Sequence, residues 1–193
     1  MLRRLYDWTL ALGSHRHAPV ALAAVSFAES SVFPIPPDIL LIPMVLAERA
    51  KAWFFAALCT VASVLGGLLG YYIGAALFDT VARPILDFYG YANAFDDFAA
   101  RYNDWGAWIV FIAGVTPFPF KVITIASGAT GLSLPVFIVA SVAARGLRFF
   151  IVAALLYFVG PPVRAFIEKR LSLVFTVFVV LFVGGFVAAR YML

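Results

Sequence analysis

Residues 52–78 have the sequence AWFFAALCTVASVLGGLLGYYIGAALF and carry no charged side chain. As a helix, a stretch of this length and composition can cross the hydrocarbon core of a bilayer, which is about 30 Å thick. Residues 134–159 and 171–189 are also apolar and long enough to cross. We therefore expect three spanning helices, the second of which contains two arginines.

The composition of the whole chain supports a membrane protein. Hydrophobic residues make up 64% and charged residues 12%, whereas soluble domains average about 45–50% and 25%. No basic run suggests a nucleic-acid partner, and no activated serine, phosphate-binding loop or zinc signature is present. The sequence therefore predicts a non-enzymatic, all-α integral membrane protein without a cofactor or metal.

Two further apolar stretches are each interrupted by a Pro-x-Pro sequence. Proline removes a backbone donor and biases the residue before it away from helix, so each stretch should break into two arms. Most arms have about 10–16 residues, or roughly 15–24 Å as helix, which favours a re-entrant hairpin over a kinked spanning helix. The predicted hairpin tips are Pro34, Pro36, Pro117 and Pro119.

The two broken stretches belong to an internal repeat. A shift of 83 positions places Pro34 on Pro117 and brings the span 52–78 onto the span 134–159. One crossing in the first unit makes the second start from the opposite face, so two like units are inverted, as in many secondary transporters. The predicted segments are an interfacial helix (1–17), repeat one (18–78), an amphipathic connector (79–106), repeat two (107–160) and a C-terminal span (171–190). The distribution of basic residues predicts a cytoplasmic N-terminus.

Five charged residues lie within the apolar segments, and we expect them to form the functional site: Glu29, Asp38, Lys121, Arg145 and Arg148. An ionised side chain at the bilayer centre costs about 2.5–3.5 kcal/mol on insertion scales. Two acids and three bases partly neutralise one another and leave one positive charge, which suits an anionic head group.

Each of these residues has two interpretations. Arg145 and Arg148 share one helix face, where they could bind a phosphate or pair with the acids to hold the hairpin. A poorly hydrated Glu29 could exchange protons or act as a permanent arginine partner. Asp38 follows Pro37 and is expected to cap the second arm. Lys121 is expected at the second hairpin tip, with snorkelling to the interface as the alternative.

A stripe of small residues, Gly66, Gly70 and Gly74, follows one face of the first span. Glycines at this spacing allow helices to approach closely. Both internal packing and a homodimer contact are consistent with the stripe.

Several motifs resemble those of the DedA family, also called the SNARE-associated or VTT-domain superfamily. They are Phe27-Ala28-Glu29, Pro34-Ile35-Pro36-Pro37-Asp38, Gly70-Tyr71-Tyr72-Ile73-Gly74, Thr116-Pro117-Phe118-Pro119-Phe120-Lys121, Ala126-Ser127-Gly128-Ala129 and Arg145-Gly146-Leu147-Arg148-Phe149-Phe150. The later motifs resemble the YqaA-like branch. The resemblance implies opposed re-entrant hairpins, functional acids at Glu29 and Asp38, and a multi-pass protein of the bacterial inner membrane.

The resemblance also implies a function in moving lipids across the bilayer. We expect a flippase-like or scramblase-like translocase for a polyprenyl phosphate or phospholipid, with protons as the candidate coupling ion. Better-studied members carry two arginines around the second break, whereas here Lys121 is the basic residue and Arg145 and Arg148 follow from the next helix. The alternatives are a proton or ion antiporter and a non-transporting membrane assembly factor.

Overall fold

The structure is a computed structural model that describes residues 17–32, 36–116 and 118–169, with side chains described as far as Gly160. Within these ranges the regular structure is helical. The helices are α1 (Ala18–Ser31), α2 (Asp38–Ala47), α3 (Ala52–Leu77), α4 (Arg83–Tyr89), α5 (Ala92–Val115), α6 (Phe120–Ala129) and α7 (Leu134–Lys169). A 3-10 turn at Arg49–Lys51 precedes α3, and a π-helical turn at Phe78–Ala82 joins α3 to α4.

The two predicted spans within the described residues form the two long apolar helices, α3 and α7. The segments Arg49–Tyr89 and Leu134–Gly160 are long and apolar enough to cross a membrane. Large apolar side chains on α7, among them Val139 and Phe158, are about 70% exposed, as expected for a surface in contact with lipid. The predicted third span at 171–189 and the interfacial helix at 1–17 lie outside the described residues, apart from His17.

Both predicted helix breaks are present. The chain leaves the helix after Ser31 and resumes at Asp38, and it leaves again after Val115 and resumes at Phe120. Pro36 and Pro119 are described within the breaks, whereas Pro34 and Pro117 lie outside the described residues. The proline rule therefore placed both interruptions correctly, whereas Pro43 lies inside α2 without ending it.

Helix α5 crosses the predicted boundary between the connector and repeat two. It continues without a break from Ala92 to Val115, because Gly106 alone does not end a helix. Gly106 lies against Leu132, which is just before the start of α7. The charged first half of α5 therefore extends beyond the N-terminal end of α7, and the apolar second half of α5 runs beside α7.

The long helices α3 and α7 form the centre of the molecule and run in opposite directions. Trp53, near the start of α3, contacts Tyr157, whereas Tyr71, near its end, contacts Phe137. Ser63 and Arg145 are hydrogen-bonded where the two helices meet. Each of these two residues is near the middle of its own apolar helix.

The shorter helices pack around this centre in a regular way. The first arm of each unit packs along the span of the same unit, α1 on α3 and α5 on α7. The second arms pack mainly against the span of the other unit, α2 on α7 and α6 on α3. Helix α6 runs parallel to α3, since Gly67 meets Phe120 and Gly74 meets Ile125. Helix α2 runs parallel to α7, since Asp38 binds Arg148 and Leu46 lies near Gly160.

The glycine stripe is used for packing inside the chain. A Cβ added at Gly66 would lie 2.0 Å from the carbonyl oxygen of Phe27 on α1. A Cβ at Gly74 would lie 2.0 Å from the carbonyl oxygen of Ile125 on α6. The stripe therefore lets α1 and α6 approach the backbone of α3 on two sides, whereas a Cβ at neighbouring Gly67 would make ordinary contacts of 3.4 Å or more.

Candidate functional site

Two ion pairs join the first broken unit to α7 where the helix breaks meet. Arg145 Nη2 donates to Glu29 Oε2 at 2.7 Å, and Arg148 Nη2 donates to Asp38 Oδ2 at 2.6 Å. The two arginines are three residues apart and therefore lie on one face of α7, as predicted from their spacing. Each arginine binds one of the two acids singled out in the sequence.

The buried side chain of Arg145 contacts residues of three other helices. Its side chain is 1% exposed, and its Nε donates to Ser63 Oγ on α3 at 2.6 Å. The guanidinium carbon lies 5.0 Å from the ring centre of Phe120 and 4.7 Å from that of Phe149, within cation–π range. This arginine therefore connects α1, α3 and α6 to α7.

Glu29 receives a second hydrogen bond within the same cluster. Ser30 Oγ lies 3.1 Å from Glu29 Oε2 and 2.7 Å from Ser63 Oγ. The carboxylate, the guanidinium and the two serines thus form a closed set of hydrogen bonds. Such a set offsets part of the cost of placing charge in an apolar interior.

Arg148 is more open than Arg145 and connects the two breaks. Its side chain is 20% exposed. Besides binding Asp38 at the start of α2, it donates from Nη1 to the carbonyl oxygen of Thr116 at 3.0 Å. Thr116 has extended backbone and directly follows α5, so this one side chain binds the first residue after one break and the last described residue before Pro117.

The predicted capping role of Asp38 is wrong. The cap position of α2 is occupied by Pro37, and no side-chain hydrogen bond caps this helix. Asp38 occupies the first turn, where its negative charge is still favourable near the helix N-terminus. Its carboxylate binds Arg148 instead, because a guanidinium is a stronger donor to a carboxylate than a neutral N–H is.

Lys121 lies in the first turn of α6, next to Phe120, which contacts Arg145. Its side chain is partly exposed and binds no other residue in the part of the chain that the structure describes. The structure thus brings four of the five predicted site residues into two pairs and places the fifth at the start of the neighbouring helix.

The end of α1 also contacts α6 directly. Thr124 Oγ1 donates to the carbonyl oxygen of Ser30 at 3.1 Å. The contact lies where α3 has Gly70, since a Cβ there would come within 2.3 Å of Thr124 Oγ1. The two breaks are therefore held together by backbone packing as well as by charge.

Sequence reasoning missed the residues that support the charged cluster. Ser30, Ser63 and the carbonyl of Thr116 all bind site side chains. A signal for Ser63 was present, since it is one of the few polar residues in an otherwise apolar span. The Thr116 carbonyl had no such signal, because every residue has a backbone carbonyl and the sequence does not mark this one.

The chain is similar to one family of protein domains and to proteins of two bacteria. A model of the VTT domain matches residues 35–158. An uncharacterized protein of Haemophilus influenzae is 36% identical over 170 residues, covering 88% of each chain. An uncharacterized protein of Histophilus somni is 32% identical over 170 residues, again covering 88% of each chain. No solved structure matches the chain.

Proposed function

Because this chain belongs to the VTT-domain (DedA, SNARE-associated) family of membrane proteins, we propose that it moves a lipid with a phosphate-bearing head group across the bilayer. The observation that carries the proposal is the Arg148–Asp38 ion pair at the meeting point of two helix breaks, halfway along the apolar helices. The bacterial relatives favour the inner membrane as its location. Membership of the YqaA-like branch stays a prediction.

The charge of the site favours an anionic ligand. Glu29 and Asp38 contribute two negative charges, and Lys121, Arg145 and Arg148 contribute three positive charges. The surplus of one positive charge is costly at the depth of the bilayer centre. A singly charged phosphodiester neutralises the site without any change of protonation, so its binding removes this cost.

The two ion pairs have different roles in this proposal. Arg145 is buried and uses its hydrogen bonds and both ring contacts within the protein, so it acts as the fixed structural cation. Arg148 is more accessible, since 20% of its side chain is exposed against 1% for Arg145. A phosphate oxygen that binds Arg148 replaces the carboxylate of Asp38, and Asp38 returns to Arg148 when the lipid leaves.

Two helix N-termini add to the attraction for a phosphate. Helix α2 begins at Asp38, and α6 begins at Phe120 with Lys121 beside it. Helix N-termini carry partial positive charge and free N–H groups. Broken helices that direct such ends at an anionic substrate are a recurring arrangement in transporters.

Proton exchange enters the proposal through the charge of the head group. A phosphate monoester carries about −1.5 to −2 charge near neutrality, which is up to one negative charge more than the site can balance. Protonation of one carboxylate restores neutrality, and Asp38 is the proposed acceptor because the phosphate displaces it from Arg148, whereas Glu29 stays bound to Arg145. Transport of a monoester is therefore coupled to protons, whereas transport of a phosphodiester is not.

The packing of the helices supports an inverted repeat with two re-entrant hairpins. The spans α3 and α7 run in opposite directions, and each second arm packs on the span of the other unit. Both breaks lie level with the middle of a span, because Glu29 and Asp38 at the first break and Thr116 at the second bind Arg145 and Arg148. Each hairpin then enters from its own face and turns back near the midplane.

Transport by reconstituted protein tests the proposal. We expect the double variant Arg148→Gln/Asp38→Asn, which leaves no unpaired charge, to lower the flipping rate of a labelled polyprenyl phosphate at least tenfold. A hydrogen bond to a charged group contributes about 1.5–3 kcal/mol, and each 1.4 kcal/mol is about tenfold. The control Arg83→Gln/Asp96→Asn removes an ion pair that is about half exposed and should leave the rate unchanged.

The same proteoliposomes distinguish the two alternatives. Ion flux without lipid movement in the wild-type protein would identify an ion antiporter. Wild-type lipid flipping in the Arg148→Gln/Asp38→Asn variant would remove the assigned site. An assembly factor predicts no flux of either kind and loss of function when Gly70, which lies against Thr124, is replaced by leucine.

A further inference from the structure

A groove between α5 and α7 opens on the outer surface of the protein. It has a volume of about 610 Å³ and is lined by apolar side chains throughout. The lining residues are Ala107, Trp108, Phe111, Pro135, Val136, Val139, Ala140 and Ala143.

The groove exists because small residues alternate with large ones. Ala107, Ala140 and Ala143 are the small lining residues, whereas Trp108 and Val139 are 61% and 69% exposed. In water an apolar groove of this size would be costly. In the membrane proposed for this chain it opens onto lipid hydrocarbon.

We propose that this groove holds the hydrocarbon chain of the lipid whose phosphate binds at Arg148. The inference rests on the proposed function and names the tail site that belongs to that head-group site. The two helices that form the groove also form the head-group site, because Arg148 of α7 donates to the carbonyl of Thr116 at the end of α5.

The distance from groove to head-group site is short on both helices. Thr116 follows Phe111 by five residues, and Arg148 follows Ala143 by five residues. Five residues of helix correspond to about 7–8 Å. Along the helix axes the groove therefore begins about 7–8 Å from the head-group site, a distance that the first part of a lipid chain covers.

The direction of the lipid's hydrocarbon chain follows from the place where α5 and α7 are in contact. A Cβ added at Gly114 would lie 2.6 Å from the Cβ of Ala144, so α5 and α7 are in contact at this level and the groove ends there. From this contact it extends towards Pro135 and Ala107, at the connector end of the molecule. The chain therefore lies in the leaflet on the connector side.

The size of the groove agrees with one chain. An apolar cavity of about 150 Å³ holds one benzene molecule, so a groove of 610 Å³ has room for roughly twenty carbons on the same scale. A protein helix has a diameter of about 10–12 Å and would rest on the large side chains at the edges of the groove without contacting the alanines at its base. The positive site at Arg148, beyond the contact between Gly114 and Ala144, also favours an occupant that carries an anionic group.

A variant that fills the groove tests the inference. Ala143→Phe places a ring in the groove, and Val142→Phe is the matched control, since Val142 is an exposed neighbour outside the lining. Binding of a long-chain polyprenyl phosphate and of a one-isoprene phosphate, whose chain is too short to reach the groove about 7–8 Å away, is measured for full-length protein in nanodiscs. Ala143→Phe should weaken binding of the long lipid about tenfold, the size expected from two lost buried methylene groups. Binding of the short lipid should be unchanged.

Three results would overturn the inference. Unchanged binding of the long lipid would show that the groove does not hold the chain. Equal weakening of both lipids would show a disturbed head-group site, and a change in oligomeric mass caused by Ala143→Phe would assign the groove to a second copy. Failure of the wild-type protein to bind either lipid would instead reject the proposed function on which the inference rests.

Discussion

Replacement of Arg145 by methionine should prevent accumulation of folded protein. Arg145 is 1% exposed, and its loss leaves the Glu29 carboxylate buried without a cation. Breaking a buried ion pair by removing one partner costs about 3–5 kcal/mol, a large share of the 5–15 kcal/mol of stability that a typical domain has. Yield and monodispersity of the detergent-solubilised protein measure the effect.

A second substitution separates this explanation from a simple loss of packing. The double variant Arg145→Met/Glu29→Gln contains no unpaired charge, so folded protein should be recovered. Arg148→Met should have a smaller effect, because Arg148 is 20% exposed and packs against fewer groups than Arg145, which is 1% exposed. Full accumulation of the Arg145→Met single variant would contradict the structural role given to this arginine.

Replacement of Asp38 by asparagine should tighten the binding of phosphate lipids while slowing their transport. In the resting protein the carboxylate of Asp38 occupies the donor of Arg148 that the phosphate needs. Without this competitor the affinity should rise about tenfold or more, since hydrogen bonds to charged groups contribute about 1.5–3 kcal/mol. Release slows because no carboxylate returns to Arg148. Binding in nanodiscs and flipping in proteoliposomes measure the two effects.

The matched control for this prediction is Asp96→Asn. Asp96 also pairs with an arginine, Arg83, but both side chains are about half exposed, and such pairs contribute little. It should alter neither binding nor flipping. Weaker binding by Asp38→Asn would show that the carboxylate supports the head group instead of competing with it.

Much of the helical framework could be predicted from the sequence, because it depends on local chemistry. The charge-free stretch 52–78 became α3, and the prolines after Ser31 and Val115 coincide with helix ends. The glycine stripe predicted close packing, and the structure shows that α1 and α6 pack against it.

The sequence shows which charged residues lie within apolar segments, but not how they pair with one another. Charged residues within apolar segments stood out, because an ionised side chain in the membrane is costly unless it is paired or has a function. They include Glu29, Asp38, Arg145 and Arg148. Which acid binds which arginine depends on the approach of α1 and α2 to α7, over sequence separations of 116 and 110 residues. The cap predicted for Asp38 failed for the same reason, because a local rule takes no account of a distant guanidinium.

The most direct test of the account is whether the protein recognises the phosphate itself through Arg148. Binding of a polyprenyl phosphate is compared with binding of the same polyprenol, which lacks the phosphate, in nanodiscs of uncharged lipid. We predict that the wild-type protein prefers the phosphate at least tenfold and that Arg148→Gln/Asp38→Asn removes this preference while both lipids still bind through their chains. Equal binding of the two lipids by the wild-type protein, or an undiminished preference in the double variant, would contradict the account.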